Sequence, residues 1–390
     1  MKLKKNEERR LLAGHLWVFS NEIDVATTPL KSFEPGEIIN ILSSRGDNLG
    51  TGYINPHSLI AARLCSRDKH GLSKDWFRAR LRAALELREL VYDKPFYRLV
   101  HGEGDLLPGL VIDRFDQVVV MQVTTAGMEQ HIDLVVELLG DLLSPQCVVL
   151  RNDNTIRELE HLTLYQRTEL GQTPEQLSVE ENGLRYEAAV VDGQKTGWFY
   201  DHRDNRAAIH PYVKNKRVLD CYSYLGAWGL NALAQGASEA VCVDSSLPAL
   251  QAAQDNAALN GFTGSLHTRH GDAVEALREL FQENERFDVV VLDPPAFIKR
   301  KKDFRAGFNQ YELINRLAVR LLRSGGTLVS ASCSQPLQSS DLSGAMLRGA
   351  RRNKVELQLL QSLGQARDHP VNAAMPETAY LKGFIARPAG

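Results

Sequence analysis

The 390-residue sequence predicts an α/β protein whose C-terminal half is a doubly wound, mostly parallel sheet, and three observations carry that reading. From about Asp192 onward, short apolar runs alternate with helical stretches of roughly 10 to 15 residues, the pattern of strands joined by right-handed helical crossovers. Within that half, Lys214 to Asp244 (KNKRVLDCYSYLGAWGLNALAQGASEAVCVD) reads as strand, glycine-containing turn, helix and strand. Finally, Asp220, Asp244, Asp272 and Asp293 fall at the carboxyl ends of four consecutive strands, where such sheets bind their ligands.

The turn after the first of these strands narrows the ligand. It lets backbone approach a nucleoside, and an acid closing the next strand accepts hydrogen bonds from ribose hydroxyls. Only Gly226 and Gly229 stand in the turn, so no phosphate-cradling G-x-G-x-x-G is present, and Asp220 just before it would repel a pyrophosphate. S-adenosylmethionine, which has no phosphate and carries an ammonium, fits better than NAD.

Composition sets the outer limits. Hydrophobic residues at 43% and charged residues at 24% describe an ordinary globular chain, and its length suggests two or three domains. No run approaches the roughly 18 apolar residues of a membrane helix, and Met1-Lys2-Leu3-Lys4-Lys5 lacks an apolar signal core, so a cytosolic protein is expected. Five cysteines, an odd number without CxxC spacing, argue against a disulfide framework and against zinc; no metal is expected. A net charge of -2 confines any nucleic-acid surface to a local patch.

Taken in order, residues 1–72 read as a small β-rich module, with strands at Gly36–Leu42, Leu49–Tyr53 and Ile60–Cys65. Residues 73–191 read as an α+β middle domain. Helices at Trp76–Tyr92 and His131–Leu143 accompany strands at Tyr97–Val100, Leu110–Phe115, Val118–Val123, Cys147–Leu150 and Tyr186–Val191, with Gln172–Gln176 a loop. Residues 192–390 form the doubly wound domain. After Asp244 come helix Leu247–Asn260, strand Leu266–Arg269, helix Ala273–Phe281, strand Phe287–Asp293, helix Glu312–Leu322 and strand Gly326–Ser330. Helix Asp341–Arg352 and strands Val355–Leu360 and Ala379–Ile385 complete it.

By Asp293-Pro294-Pro295-Ala296-Phe297 and Ser332-Cys333-Ser334 the chain resembles the class I S-adenosylmethionine-dependent methyltransferases of large-subunit (23S) rRNA with an N-terminal PUA domain, best known for making 5-methylcytosine. The likeness covers essentially the whole chain and includes His15–Ser20, Asp105–Arg114, Lys195–Arg203 and Asp368-His369-Pro370 in the family's order. It implies a PUA-like RNA-binding domain at residues 1–72, a Rossmann-like methyltransferase domain at 192–390, 23S rRNA as partner and a homodimeric state. It also implies roles. Asp220 would lie beside the methionine portion of the cofactor, Asp244 at the ribose, Asp272 at the adenine amino group and Asp293 at the methyl-transfer site. Asp201, His202 and Arg203 would help close the pocket, and Tyr200, Tyr222, Gly226 and Ser245 complete the cofactor set. Two departures stand out: Gly226-Ala227-Trp228 replaces a Gly-Gly-aromatic sequence, and Ala296 replaces a common Lys beside the target base.

The chemistry has a bland reading beside each sharp one. Cytosine carbon 5 takes a methyl group only after a thiolate has added to carbon 6, which requires a thiol at a pocket edge. Cys333, just past a strand end, has that placement, although a free cysteine is usually a small buried hydrophobe. Pro294, Pro295 and Phe297 form either a rigid turn or a grip on a flipped base. Lys299, Arg300, Lys301 and Lys302 are either a solvated charge run or phosphate contacts. Asp293 is one candidate for the base that removes the carbon 5 proton. The expected function is cytosine carbon 5 methylation of 23S rRNA with Cys333 and Asp293 as catalytic residues. The alternatives are guanine N7 methylation on the same fold, a non-enzymatic RNA-binding protein with a relic cofactor pocket, and, less favoured, a small-molecule methyltransferase.

Overall fold

The structure is a computed structural model that describes residues 1–68, 71–190 and 197–389. Lys195 and Thr196, and the expected domain boundary after residue 191, lie outside the described residues. The chain divides into two compact units: one of Met1–Leu177, Ala189–Tyr200 and Arg367–Thr378, and one of Ser178–Ala188, Asp201–Ala366 and Ala379–Gly390.

The first unit opens with α1 (Glu8–Leu12) and four strands, β1 (Trp17–Val18), β2 (Ile38–Leu42), β3 (Asn48–Ile54) and β4 (Ala62–Ser66), in an antiparallel sheet ordered β1-β4-β3-β2. Leu11, Val18, Ile41, Ile54 and Leu64 fill its core. Next comes α2 (Lys74–Val91), capped by Ser73, whose hydroxyl accepts the Trp76 amide at 3.2 Å. It packs on a five-stranded sheet of β5 (Phe96–His101), β6 (Leu110–Phe115), β7 (Val118–Val123), β8 (Cys147–Asn152) and β9 (Tyr165–Leu170), with α3 (Ala126–Glu129) and α4 (Ile132–Leu143) between β7 and β8. That crossover makes β7 and β8 parallel; the other pairs are antiparallel.

The second unit begins at Ser178 and takes in most of a hairpin of β10 (Gln176–Glu181) and β11 (Leu184–Ala189). There follow α5 (Arg203–Ala208), α6 (His210–Val213), β12 (Arg217–Cys221), α7 (Ala227–Ala234), β13 (Glu239–Asp244), α8 (Leu247–Leu259), β14 (Leu266–His270), α9 (Ala273–Gln282) and β15 (Phe287–Leu292). The chain ends with α10 (Phe304–Leu321), β16 (Leu322–Ser332), α11 (Ser339–Arg351), β17 (Glu356–Gly364) and β18 (Lys382–Ala389). Seven strands make one sheet, ordered β14-β13-β12-β15-β16-β18-β17, in which β18 alone runs antiparallel to its neighbours. Because side chains alternate along a strand, Val218, Val289 and Val291 face α6 and α7, whereas Leu219, Val290 and Leu292 face α9, α10 and α11. Both faces are covered, which is why these strands are almost wholly apolar. This is the expected α/β fold.

One expectation needs correction, and one strand lies outside the expected elements. The helix read from Glu312 begins at Phe304, because Phe304, Phe308 and Tyr311 continue its apolar stripe through the basic stretch. Strand β9 carried no apolar alternation to read: it is a sheet edge with mostly exposed polar residues, and Arg167 pairs with Glu169 along it. Among the described residues no helix is long and apolar enough to cross a membrane.

Hairpin and sheet are joined by buried polar groups. Glu181 takes two hydrogen bonds from Arg206, at 2.6 and 2.8 Å, with the Arg203 Nε 3.6 Å away. Asn231 donates to the buried Tyr186 hydroxyl at 2.9 Å. Removing one partner of a buried pair strands the other charge. Glu181→Ala should therefore cost about 3–5 kcal/mol in urea unfolding, and adding Arg206→Met should recover a large part of that loss.

Candidate active site

Three of the four strand-end acids begin the site, each doing a different job. Asp220 lies on β12 and is fully buried. One of its oxygens accepts the Gly229 amide at 3.0 Å; the other has no hydrogen-bond partner. Burial pushes this carboxyl up to about 8, against the pull of the Gly229 N–H. Asp244, closing β13, spends its two oxygens on the Tyr224 and Ser246 amides, both at 2.9 Å, and so fixes the turn beside it. Asp272 is exposed and caps α9, accepting the Val274 and Glu275 amides at 2.9 and 3.1 Å.

The β12–α7 turn is unusual in its backbone. Tyr222, Tyr224 and Gly226 alternate through positive φ, at 63°, 48° and 74°. Two tyrosines in the left-handed region cost energy and persist only where the surroundings demand them, as at ligand clamps. Gly226 is both left-handed and crowded: a Cβ there would lie 3.0 Å from that of Ala253. Ser223, in the same turn, is buried. Ser245 is exposed on the following loop, with its carbonyl 3.0 Å from His270 Nε2.

Asp293, one residue beyond β15, forms a second centre. Its oxygens meet His202 Nε2 at 3.1 Å and the Trp228 indole N–H at 3.1 Å. Burial works against ionisation of Asp293, but His202 and Trp228 outweigh it and hold the carboxyl below its usual range. His202 shows the complementary balance: burial disfavours its cation, yet Asp293 and Asp201 raise it. Asn205 Nδ2 lies 3.0 Å from His202 Nδ1, and Asp201 accepts the Tyr380 hydroxyl at 2.6 Å. Arg203 is buried beside Glu181. Tyr200 belongs to the first unit, where its ring stacks on Phe115 and its hydroxyl donates to the Arg114 carbonyl at 2.9 Å.

Cys333 follows the last residue of β16 and is the one cysteine of five that is not buried. Burial raises Cys65, Cys147, Cys221 and Cys242 above the usual thiol range. The loop bearing Cys333 is tied down on both sides. Ser332 Oγ donates to the Tyr311 hydroxyl at 2.7 Å, which shares a 2.8 Å bond with Ser334 Oγ; that oxygen in turn accepts the Ile298 amide at 3.0 Å. The Asp-Pro-Pro-Ala-Phe-Ile loop and the Ser-Cys-Ser loop are therefore one construction. Phe297 leans on Tyr311 (4.9 Å) and meets Tyr222 edge-on (6.2 Å), Pro294 is buried and Pro295 exposed. Lys299, Arg300, Lys301 and Lys302 are all exposed just beyond, with Arg300 paired to Asp303.

Sequence reading missed several of these parts. Trp228 was noted only as a departure in the turn, and the Asp293–His202 pair joins residues 91 positions apart by number, which no local pattern reveals. Tyr311 lies within a helix stripe that looks like core, and Lys382, whose Nζ donates to the Ser334 carbonyl at 2.7 Å, reaches the site only through strand pairing.

The residues present fit S-adenosylmethionine. A buried carboxyl oxygen without a partner, at a strand end and below a left-handed turn, is what an amino-acid ammonium would satisfy, and bound S-adenosylmethionine would supply an electrophilic methyl group there. Docking a cation against Asp220 favours its ionised form, so binding should release a proton below pH 8. Affinity should therefore rise with pH by up to about tenfold per pH unit between roughly pH 6 and 8 and then level off. Asp220→Asn should bind more weakly and lose that slope. Calorimetry in two buffers of different ionisation heat measures both; a pH-flat, proton-free binding by the wild type would contradict the assignment.

Comparison with known proteins identifies the family. Residues 1–67 match the PUA-like domain family, and residues 166–384 match the S-adenosylmethionine-dependent methyltransferase family. The chain is 38% identical to ribosomal RNA large subunit methyltransferase I of Shewanella denitrificans, over 99% of this chain and 98% of the relative. It is likewise 38% identical to the protein of that name in Photobacterium profundum, over 98% of this chain and 97% of the relative. A solved structure described as a methyltransferase complexed with S-adenosylhomocysteine superposes with a TM-score of 0.85 at 21% identity, covering 99% of each chain. Matched nearly end to end by these relatives, the chain belongs to the ribosomal RNA large subunit methyltransferase I family of S-adenosylmethionine-dependent enzymes.

Proposed function

We propose that this enzyme methylates carbon 5 of a cytosine in large-subunit rRNA, with Cys333 as nucleophile. The observation that carries the reading is the Ser332-Cys333-Ser334 loop: the one unburied thiol, held at a strand end and bonded through Ser334 to the Asp-Pro-Pro loop. The relatives' shared name supports rRNA as substrate, and the PUA-like match supports RNA binding by the first 67 residues. We assign residues 1–72 and 73–191 to holding RNA and 192–390 to catalysis. A homodimer, suggested by the family likeness, is read directly from mass by light scattering.

The proposed chemistry uses the chain's own groups in sequence. The Cys333 thiol loses its proton to water, and its sulfur forms a bond to cytosine carbon 6, making carbon 5 an enamine carbon. Carbon 5 then takes the methyl group, and S-adenosylhomocysteine departs. A base removes the carbon 5 proton, and the electrons of that C–H bond restore the ring double bond as the sulfur–carbon 6 bond breaks. Asp293 is the candidate base: it is ionised, and His202 and Trp228 fix its orientation. Its lowered basicity means that it acts on a proton made acidic in the adduct. Prolines 294 and 295 and Phe297 border the base, and the exposed run Lys299–Lys302 meets phosphates.

RNA carrying 5-fluorocytosine at the target has no removable proton. The wild type with cofactor should stall on it as a denaturant-resistant complex, while Cys333→Ala should form no complex and show no turnover yet still bind cofactor. Normal methylation by Cys333→Ala would reject the cytosine mechanism and favour guanine N7, which needs no thiol.

The basic run gives a separate test. Changing Lys299, Arg300, Lys301 and Lys302 to Ala should weaken RNA binding and flatten log affinity against log salt by up to about 3 for a single-stranded site, with cofactor affinity unmoved. An unchanged slope would return the run to a solvated surface.

A further inference from the structure

Residues 299–352, which span α10 and α11, carry eleven lysines and arginines against three carboxylates, in a chain whose net charge is -2. The three acids are engaged: Asp303 pairs with Arg300, Glu312 pairs with Arg352, and Asp341 accepts the Gln338 amide at 2.9 Å. Lys299, Lys301, Lys302, Arg305 and Arg348 are exposed, and among the described residues no carboxylate lies within ion-pair distance of them. Two partly exposed rings stand amid these cations. Phe304 and Phe308, one turn apart on α10, stack at 6.2 Å with 21° between their planes. The Arg348 guanidinium reaches over from α11 to lie 5.1 Å from the Phe308 centroid. Two close approaches hold this arrangement. A Cβ on Gly307 would lie 2.7 Å from the Phe297 carbonyl oxygen, and one on Gly349 would lie 2.9 Å from that of Glu312. The first presses α10 on the Asp-Pro-Pro-Ala-Phe-Ile loop, and the second presses α11 on α10 beside Arg348. The rings thus adjoin the loop that borders the methylation site.

We propose that Phe304, Phe308 and Arg348 form a stacking subsite for an unpaired rRNA nucleotide flanking the target base, with Lys299–Lys302 and Arg305 taking the phosphates around it. The proposal rests on the RNA-binding role given above to the basic run. Aromatic faces and guanidinium planes are what unpaired bases stack on, whatever their sequence, while free cations neutralise the backbone between them. A base drawn out of rRNA leaves its neighbours unstacked, and a surface that stacks one of them offsets part of that cost. Helix α10 supplies its own comparison. Arg320 and Arg286 lie 3.6 and 4.7 Å from the Phe281 centroid, a cluster of the same chemistry. That cluster stands where β15 and β16 begin, about 24 Å of helix away from Phe304 and at the amino ends of the strands. Composition is shared by the two clusters; only the one beside the Asp-Pro-Pro loop is placed to meet RNA held at the site.

The test is fluorescence anisotropy of the full-length protein with a labelled single-stranded oligouridylate of about 12 nucleotides. Phe308→Ala should weaken binding by about tenfold, and Arg348→Ala by about threefold. Arg320→Ala, which removes the matching arginine at the other end of α10, should change nothing. Phe308→Trp should keep the wild-type affinity, and the indole fluorescence it adds should be quenched as RNA binds. Cofactor affinity, unmoved in every variant, reports an intact fold. Wild-type affinity in Phe308→Ala overturns the subsite, and so does a loss in Arg320→Ala equal to that in Arg348→Ala, which would be an effect of charge alone. An unquenched indole in Phe308→Trp also overturns it, and decides the matter even if Phe308→Ala does not fold. The two readings fail separately. If the subsite variants are silent while replacing Lys299–Lys302 still flattens the salt dependence, only the subsite is rejected; if that replacement is silent too, the RNA-binding role of the run falls with it.

Discussion

The parallel ladder of β12, β13, β15 and β16 is the constraint on which the site depends. Pairing Val218 with Val289 and Val290 with Leu328 fixes where each strand stops. It thereby delivers Asp220, Asp244, Asp293 and Cys333 to the same edge of the sheet, although they span more than a hundred residues of sequence. Parallel strands tolerate no one-residue slip here, because both faces are buried and a slip would exchange the side chains packed on each. The apolar strand interiors, which look like simple packing, therefore set the geometry of the chemistry.

Against that rigid frame the polar groups fall into two kinds. Some already serve structure: Asp244 and Asp272 accept backbone amides at a turn and a helix end while keeping lone pairs for further donors. Others are left with capacity in hand. Asp220 keeps one buried oxygen without a partner, and Lys382 carries its buried ammonium to the Ser334 carbonyl. A fold built for stability alone would satisfy or replace such groups, since an unmet buried polar atom costs about 1–3 kcal/mol. Asp293 lies between these kinds, ionised and oriented by His202 and Trp228 yet adjoining the two loops that bear Cys333 and Phe297.

Much of this was legible because it is local. Strand ends, the glycine turn, the Asp-Pro-Pro and Ser-Cys-Ser sequences and the amphipathic helices all announce themselves within a few residues. The resemblance to a methyltransferase family rested on the same short stretches. What escaped was whatever depends on pairing at a distance. His202 meets Asp293 and Lys382 meets Ser334 only after the sheet has formed. The positive φ of Tyr222 and Tyr224 escaped for a different reason: residue type gives no warning, since tyrosine is a poor occupant of that region. Strand β9 was missed because an exposed edge needs no apolar alternation. The helix at Phe304 was begun too late because its basic residues face solvent while Phe304 and Phe308 stack beneath them.

The central claim is that the methyl group goes to carbon 5 of cytosine. Its most direct measurement is nucleoside mass spectrometry of large-subunit rRNA, taken from a host lacking the gene and incubated with the enzyme and methyl-labelled S-adenosylmethionine. The account predicts that the label appears in 5-methylcytidine at a single position. Label found in 7-methylguanosine instead, with none in cytidine, would contradict it.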